Sequence, residues 1–562
     1  MCFTGIISKV LYKTIISAGA IVDNKLERDT KHALNVNEKV LKNILKRNEE
    51  SEIAKKYDFK NIKTIDDYKN KVPITKYDYY EEYIKRMAKG EKKVLMCDEV
   101  EYFGHTSGTT GKQKLIPSTK KARMIASKYM AFLLNRYAYD NLKYEWKYGR
   151  GLLIADIVMT SYTEGNIPVC SATSGGMKAM GKMIKYLYTS PYEVMTIKDK
   201  ESSLYLHILF ALKERGLTFI SGVFISSVLD MFRIMEENHL DLVKDIRTGK
   251  VNRNLVIDDD VREKLNSYLE PDAMRADELE KIFKDGFRAC ARKIWPSLVY
   301  IGTVTGANFS IYDDKVNYYT NYLPIYSPCY AATEATIGMN KNVGIIKYIV
   351  IPDTVFYEFL PVDMENKQGG KIITKNIDEL EIGEKYEVLV TNYSGLYRYR
   401  LGDVVRVVGY YNNSPEIVFE YRKNQVLNMA SEKTNEMQLV AALRNTVKIS
   451  ELEIIDYITE PDNNVSPGRY IIYVEFKDPL DAFTLKRVEK QLEIELKRTN
   501  IAYDRARYNF KLSPLKLVQL KKGTFNKVKE SMYHKGVSKN QIKVPRVINK
   551  ENIRQIIKEG RM

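Results

Sequence analysis

Three apolar runs, Gly151-Leu-Leu-Ile-Ala-Asp-Ile-Val, Phe219–Phe224 and Ser297-Leu-Val-Tyr-Ile-Gly-Thr-Val, are separated by stretches of helical character. A strand that is apolar on both faces must be buried on both, which suits a sheet covered by helices. Leu204–Arg215 and Val228–Glu237 supply such helices, and the alternation predicts α/β architecture with a largely parallel sheet. Upstream, Val36, Val40, Leu41, Ile44 and Leu45 recur at helical spacing, and Thr64-Ile-Asp-Asp reads as a helix cap. A glycine-rich loop is expected around Ser174–Gly181.

Past Ile345 the texture changes to short β-type runs: Val355–Leu360, Tyr386–Thr391, Val404–Tyr410 and Ile417–Tyr421. They predict a β-barrel-like subdomain or sheet appended to the α/β core. After Lys423 a compact α+β pattern follows: helix Glu432–Thr446, strands Glu451–Ile458 and Tyr470–Phe476, helix Ala482–Thr499. A chain of 562 residues exceeds one core. The expectation is a large N-terminal α/β domain over 1–422 and a small mobile α+β domain over 423–562.

Five scattered cysteines with no close pair argue against a disulfide framework or a metal cage and for a reducing cytoplasm. An essential metal would then be an oxygen-ligated ion such as Mg²⁺, arriving with a phosphate substrate. Met1–Val22 is apolar, but Lys9 and Lys13 interrupt it, and Ile6, Val10, Leu11 and Ile15 fall at helical spacing. That predicts an amphipathic helix docked on the body, neither signal peptide nor membrane span, with peripheral membrane contact as the alternative. The net charge of +17 raises the question of nucleic acid, and Lys521–Met562 alone holds twelve Lys/Arg against three Glu. No zinc finger, helix-turn-helix or aromatic-basic sheet motif accompanies it. A solvated basic face attractive to ATP is the expectation, with no nucleic-acid partner and a monomeric chain.

Phe103-Gly-His-Thr-Ser-Gly-Thr-Thr-Gly-Lys-Gln-Lys-Leu-Ile-Pro117 interleaves hydroxyls with glycines and closes on lysine. Such a loop can wrap N–H groups and hydroxyls around phosphate oxygens, because glycine lets the backbone approach closely. It is not a P-loop: Thr106 and Gln113 stand where that motif needs Gly and Ser/Thr. A turn without phosphate is the alternative. Tyr330-Ala-Ala-Thr-Glu334 follows a turn at Ser327-Pro328 and reads either as a nucleotide element or as a helix start with acidic bias. In Tyr397-Arg-Tyr-Arg-Leu-Gly-Asp403, Gly402 permits a bend, and Asp403 could accept from two vicinal hydroxyls or simply pair with an arginine. Phe419-Glu-Tyr-Arg-Lys-Asn424 is a cationic hinge or a solvated charge run.

The running order of these elements resembles the acyl-adenylate-forming superfamily. Thr106–Pro117, Tyr357-Glu-Phe-Leu-Pro361, Leu396–Asp403, Lys433-Thr-Asn-Glu436 and Gly536-Val-Ser-Lys-Asn-Gln-Ile-Lys-Val-Pro-Arg546 resemble the plant auxin- and jasmonate-type acyl acid amido synthetases and their bacterial relatives, from about Asn35 to Val547. Tyr-Arg-Tyr-Arg-Leu-Gly-Asp departs from the family's shorter Tyr-Arg-Val-Gly-Asp, and Asn428-Met-Ala-Ser from a more acidic stretch.

The resemblance implies ATP-dependent activation of a carboxylic acid as its acyl-adenylate, then transfer to an amine, usually of an amino acid. It implies that Ser107, Gly108, Thr109, Thr110, Gly111 and Lys112 hold the triphosphate, and that Tyr330 and Ala331 meet the adenine. Thr333 would bind the α-phosphate, Glu334 the Mg²⁺, Asp403 the ribose, with Arg422 at the hinge. Lys543 is the catalytic lysine it implies, with Lys522 and Lys527 as rivals. Phe224, Val228, Gly302 and Thr303 fall where the family contacts the acid, and are equally good core. An acyl-CoA ligase and a polyanion-binding protein are the competing readings.

Overall fold

The computed structural model describes residues 3–106, 114–305, 312–362, 372–423, 427, 429, 432, 434–532, 544–548 and 550–562. The chain divides into two compact units. The larger is Met1–Thr106, Leu115–Leu401 and Arg406–Val418, and the smaller is built on Gly402–Val405 and Phe419–Met562.

The three apolar runs enter one four-stranded sheet in the larger unit. Its order is Leu152–Ile154, Phe219–Phe224, Tyr300–Val304 and Ile325–Tyr326, and every neighbouring pair is parallel. The helix Lys200–Leu212, buried all along Ser202–Leu212, precedes the second strand, and Ile225–Glu237 follows it. A second sheet runs Lys114–Thr119, Val100–Thr106, Pro168–Cys170, Met159–Tyr162 and mixes both directions.

The sheet expected past Ile345 is present, and it is the largest among the described residues. Seven strands run in the order Phe356–Pro361, Lys385–Thr391, Tyr399–Tyr411, Ser414–Arg422, Tyr348–Val350, Thr336–Met339 and Cys329–Ala331. The pairs Phe356–Pro361 with Lys385–Thr391, Tyr348–Val350 with Ser414–Arg422, and Thr336–Met339 with both neighbours are antiparallel. The β-type runs past Ile345 thus share a sheet with the hairpin that carries Tyr330. The ends Gly402–Val405 and Phe419–Arg422 are counted with the smaller unit. There, Ile454–Asp462 pairs antiparallel with Arg469–Phe476, which pairs parallel with Lys516–Leu520.

Two local expectations need correction. Ser174–Gly181 is not a loop: Ala172–Met180 is helical, with the Ser171 hydroxyl accepting from the Ser174 N–H at 2.9 Å. A good cap outweighs two glycines. The helix expected from Glu432 begins at Glu436, because Asn435 caps it in a reciprocal box with Gln438 and Thr434 is bridged to Leu427.

The N-terminal helix runs Phe3–Lys31 and lays one face on the body. Tyr12, Ile15, Ile16, Val22 and Leu26 join a core with Tyr129, Leu133, Trp146, Phe219 and Tyr300. A Cβ on Gly19 would sit 2.5 Å from Arg136 Cβ, so glycine is needed for this approach. Lys25 and Lys128 both reach Asp353, at 2.6 and 2.8 Å. Burial pushes the Asp353 carboxyl up, but those two ammonium groups outweigh it and hold the carboxyl below its usual range. By length and composition Gly5–Lys31 could cross a membrane, the one such helix among the described residues.

Candidate active site

In an open parallel sheet, ligands gather beyond the carboxyl ends of the strands, where the connecting segments diverge. The last strand of the parallel sheet, Ile325–Tyr326, runs into Ser327-Pro328 and then the hairpin Cys329–Ala331/Thr336–Met339. Its entry is fixed: the Ser327 and Tyr348 hydroxyls lie 2.8 Å apart, and Asn340 Nδ2 donates to the Ser327 carbonyl. Burial pushes the Tyr348 phenol up to about 12, so it stays neutral there.

Ala332 and Ala335 exchange backbone hydrogen bonds at 2.8 and 3.2 Å and present Thr333 and Glu334 at the tip, both half-buried. The Tyr330–Glu334 stretch is therefore a β-turn element, not a helix start. Asn392 Nδ2 donates to the Glu334 carbonyl at 2.9 Å and braces the tip against the chain after Lys385–Thr391. Tyr330 is half-buried, its ring 6.0 Å from that of Tyr348, and Ala331 is exposed.

Gly104 brings the first motif to this tip. It lies in Val100–Thr106, the strand that leads to the hydroxyl-glycine stretch, and a Cβ there would sit 2.5 Å from Thr333 Cγ2. Only glycine lets the strand pass so close. The candidates Ser107, Gly108, Thr109, Thr110, Gly111 and Lys112 themselves lie outside the described residues.

The acid-contacting candidates cluster at the ends of two adjoining parallel strands, whose register pairs Ser221 with Gly302 and Phe224 with Val304. Phe224 is half-buried; Val228, Gly302 and Thr303 are buried. Ser221 Oγ donates to the Gly302 carbonyl at 2.8 Å. Thr303 Oγ1 is buried without a hydrogen-bond partner among the described residues, a polar atom that a ligand could satisfy.

In the smaller unit Asp403 is buried and accepts from Arg422 Nε at 2.6 Å. Gly402 has φ +77°, the left-handed conformation that glycine adopts at little cost. The pairing of Asp403 with an arginine is thus present, but the arginine is Arg422, not one from the Tyr-Arg-Tyr-Arg stretch. Those two point elsewhere. Arg398 grips Glu358, and Arg400 grips Glu387 with its Nε 2.9 Å from Oε1. Glu358 belongs to Tyr357–Pro361, so two stretches of the family pattern meet in one buried ion pair. Sequence reasoning singled out the stretch with Glu358 but not its pairing, and it missed Glu387; the spacing of the two glutamates to the arginines carries no local signal.

The Lys433–Glu436 stretch and the segment ending at Arg546 meet in the same way. Arg546 is buried, with Nε 3.2 Å from Glu436 Oε1, Nη1 donating to Asp456 and to the Tyr457 carbonyl, and its guanidinium 4.4 Å above the Tyr457 ring. Lys543 lies outside the described residues; Lys522 and Lys527 are exposed. Among the described residues no group of three His, Cys, Asp or Glu side chains is arranged for a metal. Glu334 is a single carboxylate, which suffices for an ion held mainly by phosphates.

Family models for the GH3 family match the chain along its length: the N-terminal domain over 22–325, the central domain over 348–422 and the C-terminal domain over 437–552. Indole-3-acetic acid-amido synthetase GH3.4 of Arabidopsis thaliana is 28% identical over 556 residues, 95% of this chain and 92% of its own. Jasmonoyl–L-amino acid synthetase JAR4 of Nicotiana attenuata is 28% identical over 548 residues, 93% of this chain and 92% of its own. Among solved structures, GH3.15 acyl acid amido synthetase superposes with a TM-score of 0.85 at 26% identity, covering 96% of each chain. 2-Hydroxyisobutyryl-CoA ligase in its postadenylation state gives 0.52 at 12% identity, covering 96% of this chain and 92% of its own, a likeness of fold alone.

Proposed function

The chain belongs to the GH3 family, and from that premise we propose that it is an ATP-dependent acyl acid amido synthetase. A substrate carboxylate attacks the α-phosphate of ATP and expels pyrophosphate. The amine of an amino acid then attacks the acyl carbon, and AMP leaves. The whole-chain match to amide-forming relatives carries this reading.

Positioning and charge neutralisation are the main tasks of such a site. Ser107, Gly108, Thr109, Thr110, Gly111 and Lys112 hold the triphosphate. Tyr330 and Ala331 line the adenine, Thr333 binds the α-phosphate and Asp403 the ribose hydroxyls. The close pass of Gly104 beside Thr333 supports the grouping of loop and turn. Mg²⁺ carried in with ATP, held by Glu334, would neutralise phosphate charge. Phe224, Val228, Gly302 and Thr303 border the acid. We take residues 1–422 as the ATP- and acid-binding domain, although Gly402–Val405 and Phe419–Arg422 pack with the smaller unit, and 423–562 as a mobile lid domain that carries Lys543. We place the activity in the cytoplasm.

ATP–pyrophosphate exchange across a panel of carboxylic acids tests the first half-reaction and identifies the acid. With that acid, AMP release is expected to rise with one or more amino acids and not with coenzyme A. Thioester as the product, with no amide from any amino acid, assigns the chain to the acyl-CoA ligases instead. Failure of every acid to support exchange removes the enzymatic reading.

Asp403→Ala is expected to raise the Michaelis constant for ATP by roughly 10- to 150-fold, the loss of a charge-assisted bidentate contact worth about 1.5–3 kcal/mol. The fold should tolerate it, because Arg422 is 39% exposed and its guanidinium reaches water when the carboxylate is gone. An unchanged constant in the folded variant removes Asp403 from the nucleotide site.

A further inference from the structure

We infer that the outward face of the N-terminal helix is a docking surface for an anionic lipid bilayer. The helix is apolar enough to cross a membrane, yet just 28% of its most apolar window is buried against the body. A soluble core helix of that composition would be enclosed. Here Ile6, Val10 and Ile21 are 50%, 59% and 73% exposed. They follow one line of the helix with exposed Lys9, Lys13, Thr14 and Ser17 beside them, at the three- and four-residue spacing that defines a face. The match to the family's N-terminal domain begins at residue 22.

Charge selects the occupant. Residues 3–22 contain two lysines and no carboxylate, on a chain whose formal net charge is +17. Lys13 leans over the Tyr148 ring at 5.7 Å and remains exposed. Aliphatic side chains flanked by exposed ammonium groups match a layer with an apolar interior and anionic headgroups. A second copy fits less well, because a two-fold pairing of this face would set like-charged lysines against each other. Spanning the bilayer is excluded by the opposite face, since insertion would pull Tyr12, Ile15, Ile16 and Leu26 out of the core they share with Trp146 and Tyr300. The helix instead lies flat, held to the body by one face and meeting headgroups with the other. Binding is reversible, at the strength of a single weak anchor, on the order of 10⁴ M⁻¹.

The test is co-sedimentation of the full chain with vesicles of phosphatidylcholine alone and of phosphatidylcholine with phosphatidylglycerol. The wild type should sediment with the anionic vesicles at least about tenfold better, and raised salt should release it. The triple variant Ile6→Ser, Val10→Ser, Ile21→Ser and the pair Lys9→Glu, Lys13→Glu should each abolish binding while keeping the wild-type unfolding midpoint. All five residues are exposed, so neither variant is expected to misfold. Equal sedimentation with both vesicle types, or retention of binding in either variant, overturns the inference. So does a dimer in analytical ultracentrifugation that the triple serine variant dissolves, which would make a second copy the occupant.

Discussion

Lys543→Ala is expected to slow acyl-adenylate formation by about 10²-fold or more while leaving the Michaelis constant for ATP close to wild type. A lysine that neutralises charge developing on the α-phosphate acts in the transition state, and losing one such preorganised contact costs about that much in rate. The chain that follows Lys543 is firmly held. Val544, Arg546 and Ile548 are buried, Val547 bridges Thr459 in parallel, and the Thr459 N–H and hydroxyl both donate to the Arg546 carbonyl at 2.9 and 2.7 Å. In the sequence Lys543 thus immediately precedes an anchored segment. Lys522 sits in the turn before the Thr524–Met532 helix, and Lys527 on the exposed side of that helix. Single-turnover adenylation of the three alanine variants separates them: only Lys543→Ala should fall by two orders of magnitude. A comparable loss in Lys522→Ala or Lys527→Ala, with Lys543→Ala unaffected, reassigns the role.

What the sequence made legible was set by how local the determining interactions are. Phe219–Phe224 and Ala482–Thr499 have the bounds their patterns predict, because a buried strand and an amphipathic helix write their period into adjacent residues. The Thr64 cap is readable for the same reason, and the structure closes it as a box with Asp67. Sheet membership was not readable. Cys329–Ala331 and Thr336–Met339 are three and four residues long, too short to carry a period, and they recruit the later β-runs by pairing distant in sequence. The Tyr330–Glu334 turn illustrates the same limit at the site: the residue types pointed to nucleotide chemistry, while the hairpin that presents them depends on Tyr348, Asn340 and Asn392 from elsewhere.

Arg398→Met is expected to be the most destabilising single change considered, at about 3–5 kcal/mol, because it strands a buried charge. Glu358 is 1% exposed and Arg398 5%, with Nε and Nη2 between 2.7 and 3.1 Å from the carboxylate oxygens. Arg398 Nη1 also donates to the carbonyls of Lys69 and Val72 at 2.7 and 2.8 Å, tying the Ile65–Lys71 helix to the large sheet. Deleting the guanidinium leaves one buried carboxylate, to which the Thr374 hydroxyl donates at 2.5 Å, and two carbonyls without this donor. That is a large fraction of a typical folding free energy. Removing the carboxylate as well should recover much of the loss, since an apolar pair of similar volume avoids the desolvation penalty altogether. Arg398→Met with Glu358→Leu is therefore expected to unfold at a higher denaturant midpoint than Arg398→Met alone, with a coupling energy that a double-mutant cycle reads directly. The folded fraction of each variant should retain the wild-type Michaelis constant for ATP, because Arg398 and Arg400 pair with Glu358 and Glu387, while Asp403, the proposed ribose contact, pairs with Arg422. A single variant within about 1 kcal/mol of wild type would mean that the buried pair contributes little to the fold, and the stretch would then need another reason for its two arginines.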